Sequence, residues 1–418
     1  MGALSKVAQG LIGQPMFGLL AKSRKMEAEG KRVVHFEIGD PNFRSPFEAV
    51  EAAKAALDAG MTHYTDSMGT REFREAIQNY VEADCGFRPL LGQILICPAN
   101  AIIDFTARCL VNPGEEVIYP DPGFPTYHSV INYNGMVPVA VPLRTENGFR
   151  MNPDDVRGRI TNKTRLIIIN TPHNPTGAVM SKEEILDIAR VAEQRDIHLL
   201  SDEVYAKIVY DGKHYSPCVL DQCRERTIVL GSLSKMYSMS GWRLGYAIGP
   251  EELIAKMGLL LQTIMSCLPA FTQAGGVAAL RADNRALSDG ISTLRKRRDV
   301  LIRGLNKLPG ISCIMPEGAF YAFADITGTN MSSDEYSECL LNETGVCVLP
   351  GTCFGRFGQG YVRLCYASTT TEAIEEALKK MGEFHAKRCF GPQPVEVRIE
   401  ERKLAPMAAT AVKADMEC

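Results

Sequence analysis

Through the middle of the chain, short runs of consecutive apolar residues alternate with stretches whose apolar positions recur every three or four residues. Ile94–Cys97, Glu116–Tyr119, Arg165–Asn170, Ile197–Asp202 and Thr227–Gly231 carry such runs without strict alternation, the pattern of strands buried on both faces. Helix signals separate them. Ser45-Pro46 predicts a helix with proline in its first turn that stops at Gly60. Asn100 stands at the predicted cap of another that runs to about Leu110, ahead of Asn112-Pro113-Gly114. Ser181-Lys-Glu-Glu184 spells a capping box before Ile185. The alternation predicts an α/β fold, with a mostly parallel central sheet sandwiched by helices in a large domain.

After about Arg285 the pattern changes. A long charged helix around Leu294, a strand pair near 311–323, a strand at Tyr361–Tyr366 and a helix from about Thr371 predict a smaller α+β domain. Beyond about Lys387 the chain turns rich in proline, alanine and charge. The expected division is therefore an N-terminal segment, 1–45, that joins the small domain and covers the site. A large domain follows at 46–285, then a small one at 286–389, and a flexible or docking tail at 390–418.

Composition narrows the class. The 418 residues are 45% hydrophobic and 23% charged, as in an ordinary globular protein, and a net charge of −3 offers no footing for nucleic acid or an anionic membrane. Thirteen cysteines, an odd number, lie dispersed without a CxxC pair or a histidine at zinc spacing. They read as small buried hydrophobes in a reducing compartment, with a cytoplasmic location expected and no metal. No apolar run approaches the roughly 20 residues of a membrane helix. Leu11–Leu20 is interrupted by Pro15 and followed by Lys22, Arg24 and Lys25, the wrong charge order for a signal peptide. Lys6 stands where a myristoylation signal wants serine or threonine.

Polar clusters follow three of the predicted strands directly: Asn170–Gly177, Asp202–Tyr205 and Ser232–Lys235. Ligands of doubly wound sheets bind at the carboxyl ends of strands, so the three clusters converge on one crevice. A lysine that forms a Schiff base needs a crowded, partly apolar setting. Ser232, Ser234 and Arg243 around Lys235 suit a phosphate. Together they point to a lysine bonded to pyridoxal 5'-phosphate.

These residues, in this order, resemble the class I/II aminotransferases of the fold-type I enzymes that use that cofactor. The likeness is to the branch of bacterial aspartate and mammalian kynurenine aminotransferases and covers about Gly30 to Ala386. Ser232–Lys235 and Ser240–Arg243 match the family's lysine segment, Asp202–Tyr205 its D-E-x-Y, and Asn170–Gly177 its N-x-P-x-N-P-x-G. The resemblance implies that Lys235 forms the Schiff base and shuttles the substrate's Cα proton, while Asp202 pairs with the pyridine nitrogen. Tyr205 and Asn174 would bond the phenolic oxygen, and Phe124 would stack on the ring. The phosphate would meet Ser232, Ser234, Arg243 and the helix start Ala99, Asn100 and Ala101, where Ala99 replaces the usual glycine. Tyr64 would reach it from the neighbouring subunit of a homodimer. Gly39, Asn174 and Arg363 would receive the α-carboxylate of the substrate.

The implied reaction moves an amino group between an α-amino acid and a 2-oxo acid by way of pyridoxamine phosphate. Elimination, replacement, cyclisation or oxidation from the same carbanion stays open at this point, as does a non-enzymatic regulator that binds the cofactor. Arg44 and Arg356 are candidates for a second substrate carboxylate, and Met16 and Phe17 for an apolar cover. Gly355–Gly360 has the wrong spacing for a dinucleotide fingerprint and precedes a strand. His173 reads as a neutral loop histidine.

Overall fold

The computed structural model describes residues 4–11, 13–283 and 285–388, so the tail expected at 390–418 lies outside the described residues. A two-residue strand, β1 (Val34–His35), comes first. Seven strands then build the large sheet: β2 (Ile94–Ile96), β3 (Glu116–Asp121), β4 (Val137–Pro142), β5 (Thr164–Asn170), β6 (His198–Asp202), β7 (Thr227–Ser232) and β8 (Gly245–Ile248). Their order is β2-β8-β7-β6-β5-β3-β4. All neighbours are parallel except β8, which runs antiparallel to both β2 and β7. The central strands are buried nearly throughout, which is why they read as unbroken apolar runs.

Two strands escape the hydrophobic pattern. β4 reads Val-Pro-Val-Ala-Val-Pro, and its prolines argue against a strand except at a sheet edge, which is where it lies. β8 has four residues beginning with glycine, too short a run to register. Two predicted helix starts are corrected as well. Pro46 occupies the cap position before Phe47–Asp58 rather than the first turn. Pro98 caps Ala99–Leu110, with Asn100 exposed one residue inside that helix and no side-chain cap. Proline's fixed φ sets the entry angle in both cases; the first helix begins one position later than expected, at Phe47, and the second two positions earlier, at Ala99. The box at Ser181 forms as read: the Glu184 N–H donates to Ser181 Oγ at 3.2 Å, and the Ser181 N–H to Glu184 Oε2 at 2.8 Å.

The C-terminal part adds β9 (Tyr321–Asp325), β10 (Val346–Cys347), β11 (Leu349–Pro350) and β12 (Tyr361–Cys365). β11, β12 and β9 form an antiparallel sheet, and β1 pairs in parallel with β10, so the chain returns to its N-terminal strand. The helices Arg285–Leu305 and Thr371–Arg388 pack beside them. The strand pair expected near 311–323 is not there: Ser312 makes one bridge to Asp325. The reason is a competing contact. The N–H groups of Glu317 and Gly318 donate to the carbonyl of Gly177 at 3.0 and 2.9 Å, pulling this segment across to the loop after β5. Among the described residues no helix is long and apolar enough to cross a membrane.

Candidate active site

Register places the carboxyl ends of three strands side by side. Asn170 of β5 pairs with Asp202 of β6, and Asp202 with Leu230 of β7, two residues before Ser232. The Asn170 side chain ties the next loop to this edge: its Nδ2 donates to the Asp202 carbonyl at 3.0 Å, and its Oδ1 accepts the Asn174 N–H at 3.0 Å.

Asp202 is buried, with Oδ2 accepting from the Tyr127 hydroxyl and Oδ1 from the Val204 N–H at 3.3 Å. Burial pushes its carboxyl up to about 6, while the bonds from Tyr127 and Val204 pull it back. No cation among the described residues pairs with it. A buried carboxylate so placed suits a cationic ring N–H as partner.

Lys235 lies in the short helix Leu233–Met236, whose cap Ser232 accepts the Ser234 N–H at 3.1 Å. Its Nζ donates to the Gly39 carbonyl at 2.6 Å. Burial lowers its pKa; Asp40 and Cys365 oppose this, and Arg363 and Arg243 add to it. An amine held this way loses its proton readily and can attack a carbonyl.

Arg363, on β12, is 1% exposed. Its Nη1 donates to Asn174 Oδ1 at 3.1 Å and its Nη2 to the Glu37 carbonyl. The guanidinium lies between the rings of Tyr321 and Phe354, 4.5 and 4.8 Å from their centroids. Its Nε has no partner and no carboxylate reaches it among the described residues. A buried guanidinium with an open donor can receive a carboxylate in a fork. Gly39 comes close because it has no Cβ: one added there would stand 2.2 Å from the Tyr321 hydroxyl.

Tyr205 is buried, and its hydroxyl lies 2.8 Å from that of Tyr321. Phe124, half-buried, caps the helix Pro125–Tyr133 and meets Tyr127 edge-on at 5.7 Å. Gly245, opposite Ser232 in the sheet, would bring a Cβ to 3.2 Å of the Ala99 nitrogen, so the helix start and the serines adjoin. The Ala101 N–H donates to the Pro98 carbonyl at 2.9 Å, leaving Ala99 and Asn100 as the orphan donors of that helix.

Lys235, Gly39, Arg363, Asn174, Asp202, Tyr205 and Phe124 thus form one connected cluster. Two expected residues stay at its margin. Arg243 is exposed, with φ 58° and its Nη1 on the Ser240 carbonyl at 2.7 Å. Tyr64 is 87% exposed. The expected cover is corrected in part: Met16 is buried in the same apolar core as Ile118 and Val141, while Phe17 is 60% exposed. Arg44 and Arg356 are exposed, and Arg356 lies over the Phe357 ring at 4.7 Å. His173 is buried, its pKa pulled down to about 3 by burial, and it stays neutral. Sequence reasoning missed Tyr127 and Tyr321. Tyr127 had a signal, standing one helical turn after Phe124 in the same segment; for Tyr321, inside an apolar strand, there was none.

The orphaned Nε of Arg363, the unpaired buried carboxylate of Asp202 and the depressed lysine fit pyridoxal phosphate bound to an amino acid. Comparison with known proteins agrees. The profile of "Aminotransferase class I and II" matches residues 31–381. An aspartate aminotransferase of Pyrococcus horikoshii is 39% identical over 367 residues, 87% of this chain and 92% of that protein. The aromatic-amino-acid aminotransferase 2 of Thermococcus litoralis is 39% identical over 358 residues, 84% of this chain and 90% of that protein. A solved structure of a Thermus thermophilus aspartate aminotransferase double mutant superposes with a TM-score of 0.87 at 32% identity, covering 92% of this chain and all of that one. The chain belongs to the class I and II aminotransferases, and it is a pyridoxal-phosphate-dependent transaminase.

Proposed function

We propose that this transaminase takes an α-amino acid by its carboxylate on Arg363, with Asn174 and the Gly39 backbone beside it. The observation that carries the proposal is a guanidinium 1% exposed that has no counter-carboxylate among the described residues. Leaving such a charge buried and unpaired is costly, and a substrate carboxylate relieves it.

The bound cofactor supplies an aldehyde for the amino group and a ring that accepts the electron pair left at Cα. The residues do the rest. Lys235, its amine depressed by burial, holds and returns the Cα proton. Asp202, ionised near neutral pH, keeps the ring nitrogen protonated, and Tyr205 donates toward the phenolic oxygen. Ser232, Ser234, Arg243 and the first turn Ala99–Ala101 hold the phosphate, and the Phe124 ring covers the pyridine.

Tyr64 completes the phosphate site of a neighbouring copy in a homodimer, a reading supported by its exposure in the single chain. Residues 1–45 work with a small domain at 286–389, against a large one at 46–285. The eleven cysteines among the described residues are all unpaired, which supports a reducing, cytoplasmic setting.

The test uses holoprotein and a panel of amino acids without an oxo-acid acceptor. Stoichiometric release of the matching 2-oxo acid, with the cofactor recovered as its amine, is expected. Ammonia release or oxygen consumption would sink the proposal. For the dimer, a Tyr64→Phe and Lys235→Ala pair is mixed after unfolding. Their mixed dimer should hold one site with neither substitution, and recovered cofactor affinity in half the sites is the expected result.

A further inference from the structure

Tyr321 stands where three parts of the site meet. It opens β9, opposite Cys365 of β12, and its side chain is buried. One face of its ring lies against the guanidinium of Arg363, 4.5 Å from the centroid, with Phe354 on the guanidinium's other contact at 4.8 Å. Its hydroxyl lies 2.8 Å from that of Tyr205, the two rings meeting edge-on at 5.7 Å and 81°. That same hydroxyl occupies the space a Cβ on Gly39 would fill. Gly39 in turn takes the Lys235 amine on its carbonyl at 2.6 Å.

We propose that Tyr321 is a positioning residue that couples the carboxylate end of the site to the cofactor end, its ring holding Arg363 and its hydroxyl donating to Tyr205. The inference rests on the roles given above to Arg363 and Tyr205. Arg363 has five donors and makes only these two hydrogen bonds among the described residues, to Asn174 and Glu37, so hydrogen bonding alone does not fix its plane. Two aromatic rings do, and a desolvated guanidinium is held well by such faces. At the other end, burial raises both phenols above their ordinary range, so each keeps its proton at neutral pH. Two protonated hydroxyls at 2.8 Å share one of their protons. When Tyr321 supplies it, the proton of Tyr205 is left for the phenolic oxygen of the cofactor, and a donor that itself accepts a bond donates more strongly.

The two functions separate by substitution. Tyr321→Phe keeps the ring and deletes the hydroxyl. The absorbance titration of the bound cofactor, taken without substrate, should then move upward by about half a pH unit, because a weaker bond from Tyr205 leaves the chromophore more basic. The KM for the amino acid converted in the panel should stay within about twofold. Tyr321→Leu removes the ring too, and KM should rise about tenfold. An unchanged titration in Tyr321→Phe overturns the hydroxyl link, and an unchanged KM in Tyr321→Leu overturns the ring's part. If Tyr321→Leu does not fold, Tyr321→Trp, which keeps an aromatic face without the hydroxyl, must show a KM closer to wild type than Tyr321→Ile or the ring's part falls. Tyr205→Phe and Arg363→Lys serve as controls. If they leave the titration and KM respectively as in wild type, the site assignment itself has failed, independently of Tyr321.

Discussion

Replacing Tyr127 by phenylalanine deletes one hydroxyl from a buried carboxylate and leaves the packing nearly intact. Asp202 is held at about 6 rather than the 3.8 of a free aspartate, burial being the main cause and the Tyr127 bond the chief force against it. A hydrogen bond to an ionised group contributes about 1.5–3 kcal/mol, and each 1.36 kcal/mol is one pH unit, so its loss moves the carboxyl up by about one to two units. At pH 7 the carboxyl is then half or more protonated, where in wild type it is about nine-tenths ionised. A neutral acid cannot balance a protonated pyridine, and the Kd for pyridoxal phosphate should rise about tenfold at pH 7, with the gap narrowing by pH 9. Trp242, the only tryptophan, sits beside Arg243 and offers a fluorescence reporter for titrating apoprotein with cofactor. Linkage gives a second readout. A carboxyl whose folded pKa lies above its unfolded one favours the fold most below pH 3.8, and that advantage is lost as pH rises through 6. The loss amounts to about 3 kcal/mol in the apoprotein. In Tyr127→Phe the decline should extend to higher pH. Superimposable Kd–pH curves for the two proteins would refute the reasoning.

Three further outcomes are expected. Arg363→Lys loses the planar fork and the stacking between Tyr321 and Phe354; KM for the amino acid should rise about 100-fold while the spectrum of bound cofactor is unchanged. Gly39→Ala places a Cβ 2.2 Å from the Tyr321 hydroxyl, and should cost about 1–3 kcal/mol in urea unfolding together with a higher KM. His35 donates to Glu37 at 2.7 Å and faces Glu27 at 3.2 Å. Its pKa is raised to about 9, the Glu37 bond being the largest cause. The stabilisation this brings is complete below the unfolded value of 6.5 and lost as pH rises through 9. Discounted for its partial exposure it is about 1–2 kcal/mol, and His35→Gln should flatten that part of the stability profile.

Much of this site could be read along the chain because its residues follow strands buried on both faces, and such strands announce themselves. Lys235, Asp202 and Asn174 each lie within a few residues of a run of isoleucine, leucine and valine that nothing else explains. β4 and β8 were hidden for opposite reasons, one broken by prolines and one too short. Partners brought in by tertiary packing left the weakest trace. Tyr321 belongs to the C-terminal sheet and Glu37 to the N-terminal strand region, and only the pairing of β1 with β10 and of β9 with β12 brings both to Arg363. Asn100 misled because an asparagine before an apolar stretch is a good cap signal, and the proline two residues earlier overrode it.

The two hydrogen bonds from the Glu317 and Gly318 N–H groups to the Gly177 carbonyl fasten the Asn174 loop, which issues from the large sheet, to the segment leading into the sheet that carries Arg363. Both ligands of the expected carboxylate therefore belong to one preassembled unit, whatever the rest of the molecule does. A carboxylate that arrives there has no loop to order, and the entropy lost on binding is confined to the ligand's own freedom and a few displaced waters. Simple carboxylic acids without an amino group should accordingly bind to that end with an association rate set by encounter rather than by rearrangement.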